Sequence, residues 1–357
     1  MPTFKSDKLL QVSRALLGAA GASEREANIV SDLLIEANLC GVDSHGVSNL
    51  KAYIDLIEQG KIKPGAKNVI VKESATTALV DANWGFGQVA CSEAVELVVG
   101  KAERNMVSVV GMLRCNHIGR LGAYSEMIAE RGMIGSICAN SDPSVAPYGG
   151  MKSMIGTNPI SLGFPAGTEK PIIVDFATSA SAEGKIRVAL QKGEKIPEGW
   201  ILDKNGKPTT DPADLYEAPL PPVQVKVVGA QLPMAGHKGF GLALAVDVLG
   251  GALTGTGCSH DIHVPNEWAN GVLIQALNIE AFSSMEEYER RVDKLITDIK
   301  SSPRTSGVDE IQMPGEPEFR MREERAKSGI PVSDVTWNAI LGVAKKYGVD
   351  VDKLMGK

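Results

Sequence analysis

The first sixty residues are written with a helical period. Leu9, Leu10, Val12, Leu16 and Leu17 recur at the spacing that gathers apolar side chains on one face of a helix. Ser23-Glu24-Arg25-Glu26 then sets a hydroxyl three positions ahead of a carboxylate, the capping box that opens a second helix. The spacing predicts helix throughout residues 5–59. From about residue 68 the period shortens: β-branched runs (NVIV, TALV, VSVV, IGSI, IIVDF) alternate with helix-patterned segments at 88–103 and 121–131. That alternation predicts an α/β fold.

Residues 191–223 interrupt the pattern with proline, glycine and charge, and Asn205-Gly206 marks a hairpin turn within this excursion. Beyond it the pattern predicts a strand over VQVKVVG, a glycine-punctuated helix over 238–253, a strand over GVLIQAL and helices over 284–301, 316–328 and 333–347. The closing helices can pack back on the first ones. The expected organisation is a helical unit of residues 1–67, completed by 305–357, and an α/β unit over 68–304.

Composition narrows the function classes. Of the 357 residues 43% are apolar and 22% charged, the balance of an ordinary globular chain. The net charge of −6, with no lysine or arginine cluster, argues against a nucleic-acid partner and for a small solute. Five scattered cysteines, never spaced C-x-x-C, argue against a disulfide framework or structural zinc and for a reducing compartment. The N-terminus lacks the apolar core of a signal peptide, and no apolar run reaches the ~20 residues a membrane helix needs. A soluble, cytoplasmic protein is expected.

Two histidines stand in polar, glycine-rich clusters at element boundaries: His45 in DSHG, and His117 in NHIGRLGAYSE, where the VSVVGML strand stops and a helix begins. Either can serve as a cap or surface residue. Histidine is also the side chain whose ordinary pKa of about 6.5 suits proton exchange near neutrality, so two such clusters suggest acid–base chemistry. Cys115-Asn116-His117 invites a nucleophilic-thiol reading, but adjacent strand residues point to opposite faces and i,i+2 spacing rarely sets up such a pair. His260 and His263 in SHDIH have metal-like spacing without a supporting element.

Two glycine-bearing stretches suggest anion sites, and a third opens a helix. Gly85 to Ala90, between a strand and a helix, matches the G-x-G-x-x-A of a dinucleotide fingerprint, with Glu103 only near the place of its acidic residue. The alternative is a turn that lets a strand meet a helix. In GHKGFG, Lys238 adds a full charge at a helix start that already favours phosphate or carboxylate, although glycines also permit close helix packing. Pro314-Gly315-Glu316, within PGEPE, opens a helix that its carboxylates stabilise in any case.

Taken together the motifs resemble the type 2 malate, L-lactate and ureidoglycolate dehydrogenases, a family that also includes sulfolactate dehydrogenases and diketogulonate reductases. The resemblance spans nearly the whole chain, through GVDSHGVSNL, DANWGFGQVA, NHIGRLGAYSE, APYGGMKSMIGTNPISLGFPA, VDFATSASAEGKI, GHKGFGLALAVDVLGGALTG and PGEPE. It implies hydride transfer between NAD or NADP and a 2-hydroxy or 2-oxo acid, or in some relatives a cyclic imine. The fold it implies is a family-specific α/β nicotinamide-binding domain with a mixed sheet rather than a Rossmann domain, in a cytoplasmic homodimer. Gly85 to Ala90 is then a family stretch and not a pyrophosphate loop.

By the same resemblance His117 looks like the proton-exchanging residue and His45 a second histidine of the pocket. Ser44, Asn49, Tyr53, Asn116 and, less closely, Gly271 fall on the substrate side. Ser141, Asp175, Phe176, Ala177, Lys238, Gly239, Pro314, Gly315 and Glu316 fall on the cofactor side. Many relatives carry an arginine where this chain has Asn49, which exchanges a carboxylate-gripping fork for a neutral amide and leaves Lys51 or Arg120 as sources of charge. Two competing readings remain: a metal-dependent hydrolase built on His45, His117, His260 and His263, and a catalytically silent nicotinamide-binding protein.

Overall fold

The computed structural model of the chain describes residues 2–217, 227–261 and 269–356. A short strand β1 (Thr3–Phe4) leads into helices α1 (Ser6–Ala19), α2 (Glu24–Leu39) and α3 (Leu50–Glu58). The capping box is present: the Glu26 amide donates to the Ser23 hydroxyl, and the Ser23 amide donates to the Glu26 carboxylate at 2.8 Å. Helix does not run through the whole of 5–59. Two 3₁₀ turns, Asp43–His45 and Val47–Asn49, separate α2 from α3, so DSHG lies on a tight turn between helices.

The α/β part follows as β2 (Val69–Glu73), β3 (Thr77–Asp81), α4 (Gly87–Asn105), β4 (Val107–Asn116), α5 (Leu121–Ala129), β5 (Met133–Ala139), β6 (Ile160–Phe164) and β7 (Ile172–Phe176). Then come α6 (Glu183–Lys192), the small strands β8 (Ile201–Leu202), β9 (Pro208–Thr209) and β10 (Ala230–Gln231), helix α7 (His237–Val246) and β11 (Ala269–Asn278). Helices α8 (Met285–Lys300) and α9 (Glu316–Ser328), strand β12 (Ile330–Pro331), and helices α10 (Asp334–Tyr347) and α11 (Val351–Met355) complete it.

Seven strands form one mixed sheet in the order β2-β3-β4-β11-β5-β6-β7. Only β3 and β4 run parallel, joined through α4 as a single β-α-β unit; the other pairs are antiparallel. The central strands β4 and β11 bury one common face, with Val110, Met112, Val272 and Ile274 in a single core, while Val109, Leu113, Leu273 and Gln275 at the alternate positions are less covered. Helices α4 and α5 pack on this sheet, Val95, Val98, Tyr124 and Ile128 joining its core.

A second core joins the two ends of the chain. Leu9, Leu16, Leu17, Val30, Leu34 and Tyr53 pack with Ile330, Ile340 and Val343, and β1 pairs with β12. Phe86 and Val89 from α4 enter this same core, and so tie it to the sheet.

Several expectations shift in detail. Ile160–Phe164 is a strand that β-branched runs alone do not mark. The helix expected over 238–253 gives way at Asp247–Ala252 to a π-helical turn, whose Gly250 backbone lies hard against β11. Asn205-Gly206 does turn the β8–β9 hairpin, with Gly206 at φ 80°. Of the VQVKVVG strand, residues 223–226 lie outside the described residues, and Val227 forms an isolated bridge with Tyr216. Among the described residues no helix is long and apolar enough to cross a membrane.

Candidate active site

His117 follows the last residue of β4, and three neighbours fix the backbone that carries it. The Asn116 amide donates to the carbonyls of Gly85 at 2.8 Å, Trp84 at 3.0 Å and Lys61 at 3.3 Å. The start of α4 supports it from below: a methyl on Gly87 would stand 2.1 Å from the Asn116 carbonyl oxygen and 2.4 Å from that of His117. The Ile118 amide beyond donates to Asn270 Oδ1 at 3.2 Å.

His45 is positioned by the tight turn after α2. Asn38 holds that turn from both sides, accepting from the Val47 amide at 2.8 Å and donating to Asp43 Oδ1 at 2.6 Å. Arg325 of α9 reaches Asp43 at 2.7 Å, and Asn49 Nδ2 donates to the Ser44 carbonyl at 2.8 Å. Asn49 therefore ties down the turn with its amide. The Ser44 hydroxyl lies 3.2 Å from His45 Nδ1. Gly184 in α6 approaches so closely that a methyl there would stand 2.4 Å from Ser44 Cβ, which makes α6 a wall of the site.

The tertiary fold brings these distant segments together. The His45 and His117 rings stack with centroids 5.6 Å apart and planes 15° from parallel. The buried Tyr53 hydroxyl lies 2.7 Å from His117 Nδ1 and accepts from Gln88 Nε2 at 2.7 Å. Both histidines are half-buried, so each keeps an accessible edge.

Electrostatics favour neutral rings in the free chain. Burial, then the neighbouring His45, brings His117 down to about 3. Burial, then the Arg120 guanidinium, brings His45 down to about 4. Burial raises the Tyr53 phenol above its usual range, opposed by the Gln88 hydrogen bond.

Arg120 is itself buried and engaged, with Glu36 at 2.7 Å and Glu126 at 3.3 Å, and Arg322 closes the network on the same two carboxylates at 2.7 and 2.8 Å. Cys40 Sγ adds a contact to Glu36 at 2.9 Å. Lys51 pairs with Asp55 at 2.5 Å on its own helix. These two cations thus already face carboxylates, although Arg120 still bears on His45.

The residues expected on the cofactor side gather along β7. Asp175, Phe176 and Ala177 form its end and exit. The Gly122 amide donates to Asp175 Oδ2 at 2.8 Å, next to Arg120. Loss of water raises Asp175 to about 6, against the downward pull of Arg120; because the residue is still exposed, the water it retains damps that rise. At the strand's other end the Ile173 amide donates to the Pro314 carbonyl at 3.0 Å, and Gly315, at φ 96°, packs on Ile173. Glu316 accepts from the Met313 amide at 2.9 Å and pairs with Lys300.

Past β7, Thr178 joins the remaining pieces. Its amide donates to the Thr157 carbonyl at 2.9 Å, and Thr157 Oγ1 lies 3.4 Å from the Ser141 hydroxyl. A methyl on Gly239 would stand 2.8 Å from the Thr178 carbonyl and 2.1 Å from that of Met234. Lys238 is exposed in the first turn of α7, whose N-cap, Gly236, supplies no capping side chain.

Sequence reasoning missed two residues. Gln88 sits inside the glycine stretch, where its neighbours draw attention as a fingerprint. Asn270 donates to the Asn140 carbonyl at 2.8 Å as well as receiving the Ile118 amide, and so links the histidine side to the segment leading to Ser141. Only a polar residue inside an apolar strand could have signalled it. Gly271 donates to Asn140 Oδ1 at 2.8 Å, and a methyl on it would lie 1.9 Å from the Gly250 carbonyl, so close packing demands the glycine.

Two further sequence readings can be placed. Gly85 to Ala90 are buried throughout, and the backbone of residues 116–117 fills the space over Gly87 where a pyrophosphate would need to approach. Among the described residues no three His, Cys, Asp or Glu side chains gather as metal ligands; His260 is exposed, and His263 lies outside the described residues.

A mixed-sheet α/β chain here stacks two imidazoles from separate segments where β4 ends. The malate/L-lactate dehydrogenase family matches residues 4–341, and the chain belongs to it. It is 39% identical over 335 residues to L-sulfolactate dehydrogenase of Methanocaldococcus jannaschii, covering 93% of each chain. A solved structure of sulfolactate dehydrogenase from that organism superposes with a TM-score of 0.88 at 36% identity, covering 99% of both chains. Δ1-piperideine-2-carboxylate reductase from Pseudomonas syringae pvar. tomato superposes with a TM-score of 0.83 at 27% identity, covering 96% of this chain and 100% of that one.

Proposed function

We propose that the chain is an NAD- or NADP-dependent dehydrogenase of 2-hydroxy acids of the malate, lactate, sulfolactate or ureidoglycolate type, with His117 exchanging the proton. The observation that carries this reading is the Tyr53-bound His117 stacked on His45. The donor set fits a dinucleotide. An exposed ammonium at the start of α7 suits a phosphate, and the Ser141 hydroxyl and Asp175 carboxylate suit ribose or amide groups. Phe176, Ala177, Gly239 and Pro314 to Glu316 are proposed to complete the nicotinamide side.

When bound, the nicotinamide supplies or takes the hydride. His117 acts on the oxygen: in oxidation its neutral ring removes the hydroxyl proton, and in reduction its imidazolium returns one. The low pKa values of the empty site favour the neutral form, so the reductive direction requires a proton to arrive with the substrate. A substrate carboxylate supplies the compensating charge for an imidazolium, because Arg120 is already paired with Glu36 and Glu126 and adds positive charge near His45. Tyr53 lies against Nδ1, and the other ring nitrogen is the one proposed to meet the reacting oxygen. Ser44 and Tyr53 line the substrate side, with Asn49, Asn116 and Gly271 keeping its walls in place.

Several features support the finer reading. A single parallel strand pair and a glycine stretch sealed by residues 116–117 argue for a nicotinamide-binding domain outside the Rossmann class. The two hydrophobic cores favour a helical unit of residues 1–67 with 305–357 and an α/β unit over 68–304. Exposed Leu244, Val248 and Leu253 along α7 and its π turn favour a homodimer, and the free cysteines among the described residues favour a cytoplasmic setting.

The test is to offer both reduced nicotinamides with 2-oxo acids bearing methyl, carboxylate, sulfonate or ureido groups, and with a cyclic imine carboxylate, following the loss of nicotinamide absorbance. Turnover of the imine alone would assign the reductase activity instead. Binding of the nicotinamide without oxidation on any of them would refute both.

A further inference from the structure

We propose that Arg325 of α9 is a positioning residue that holds His45 in place against His117, acting through Asp43 and the tight turn that carries His45. The proposal rests on the reading of the two histidines as the reacting centre.

Helix α9 meets the end of α2 at three successive points. Gly41, at φ 79°, passes so close that a methyl on it would stand 3.0 Å from Met321 Cγ. Arg322 donates to Glu36 at 2.7 Å and to both carboxylate oxygens of Glu126 at 2.8 Å, which joins α2 to α5, the helix that follows the His117 segment. Arg325, three residues further and on the same side of the helix, donates to both oxygens of Asp43 at 2.7 and 3.1 Å and to the Asn38 carbonyl at 2.5 Å. One helix thus grips both histidine-bearing segments, each through its own arginine.

The two grips secure different things. Glu36 is held twice, by Arg322 and by Arg120 of the His117 segment, and Val30 and Leu34 anchor α2 in the core. The body of α2 therefore keeps its place without Arg325. The turn beyond it has less to hold it, because Asp43–His45 is a single 3₁₀ turn with no buried residue. Asn38 and Asn49 shape it from within the α2–α3 connection, and Gly184 of α6 bounds it at Ser44. Arg325, 282 positions along the chain from Asp43, ties it to the far end of the fold.

An arginine fork suits this task because two parallel charge-assisted bonds fix direction as well as distance. The pair is not chiefly a stabilising one: the Asp43 side chain is 46% exposed, so water takes over its carboxylate when the arginine is gone. What is lost is the place of the turn. A displacement of about 1 Å at a reacting centre can cost about 10²-fold in rate, so a contact of small stability carries a large effect on turnover.

The experiment uses full-length protein with carbon-13 in its histidine rings, without nicotinamide or substrate, the His45 and His117 signals being assigned by their loss in His45→Gln and His117→Gln. Rings stacked with centroids 5.6 Å apart should give a cross-relaxation peak between their carbon-bound protons. In Arg325→Ala that peak should be lost, kcat should fall by about 10- to 100-fold, and nicotinamide affinity should stay nearly unchanged. Added guanidinium, too dilute to denature, should refill the space and restore both the peak and turnover. Arg325→Lys keeps the charge without the fork and should lie between parent and Arg325→Ala. Lys327→Gln, an exposed change on the same helix, should match the parent.

Arg325→Ala should cost less on top of Asp43→Asn than in the parent, because the two act through one contact. A parent protein without the peak, or a peak and a kcat that ignore Arg325→Ala, overturns the proposal. So do losses that guanidinium leaves unrepaired, or that simply add to those of Asp43→Asn. If Arg325→Ala does not fold, Arg325→Lys and Asp43→Asn decide it, because both should weaken the peak with little change in melting temperature. If the peak behaves as expected while no 2-oxo acid or imine is turned over, the functional reading falls and the assignment of Arg325 stands.

Discussion

The imidazole rings of His45 and His117 lie 5.6 Å apart and 15° from parallel, and His45 helps exclude the proton from His117 while Arg120 helps exclude it from His45. The folded values of about 4 and about 3 lie below the ordinary histidine value, so between that value and the folded ones the unfolded chain holds protons that the native chain lacks. Stability from this pair is therefore fully present above about pH 6.5 and is lost as pH falls toward the folded values. Urea midpoints taken downward from neutrality should decline, and His45→Gln should flatten part of that decline. An identical slope in the variant would contradict the coupling.

The same neutral pair predicts a proton taken up with an oxo acid. Above neutrality the apparent KM of a 2-oxo acid should rise by about tenfold per pH unit, while that of the corresponding 2-hydroxy acid stays nearly flat. Parallel pH dependences for the two substrates would show that His117 is already charged in the empty site.

His117→Ala removes the proposed proton-exchanging group and leaves the residues along β7 unchanged. Turnover should fall by about 10²- to 10⁴-fold with nicotinamide affinity nearly unchanged. Titration of the reduced nicotinamide by fluorescence, alongside steady-state rates, separates the two quantities. Retained turnover would remove His117 from the chemistry.

Gly87→Ala tests the contact that seats the histidine. A methyl 2.1 Å from the Asn116 carbonyl oxygen forces the backbone to move, at a cost of about 1–3 kcal/mol, and carries His117 away from Tyr53. A lower melting temperature together with reduced kcat is expected. Full activity would mean that this backbone does not set the position of His117.

Lys238→Ala should weaken nicotinamide binding by about 10- to 100-fold, the loss of one charge-assisted bond, with little effect on kcat at saturation. The salt dependence of binding should also become shallower. Unaltered affinity measured by calorimetry would place the phosphates elsewhere.

Much of the architecture was legible because it depends on local period. The Leu9–Leu17 stripe, the Ser23–Glu26 box and the β-branched runs specify helices and strands without reference to distant residues. The DSHG and NHIGR clusters, Lys238 and the segment from Asp175 to Ala177 could be recognised as stretches because each is continuous in the chain.

The sequence by itself determined most of the helices and strands and which continuous stretches are candidates for chemistry. Tertiary structure alone decided the strand order, in which β11 inserts between β4 and β5, and the stacking of two histidines from separate elements. It also turned the glycine stretch from a fingerprint into a seat for residues 116–117, gave Gln88 a partner in Tyr53, and turned Asn49 onto the Ser44 carbonyl. The physical reason is that periodicity encodes a face, whereas pairing, close approach and proton affinity depend on what that face meets across the fold.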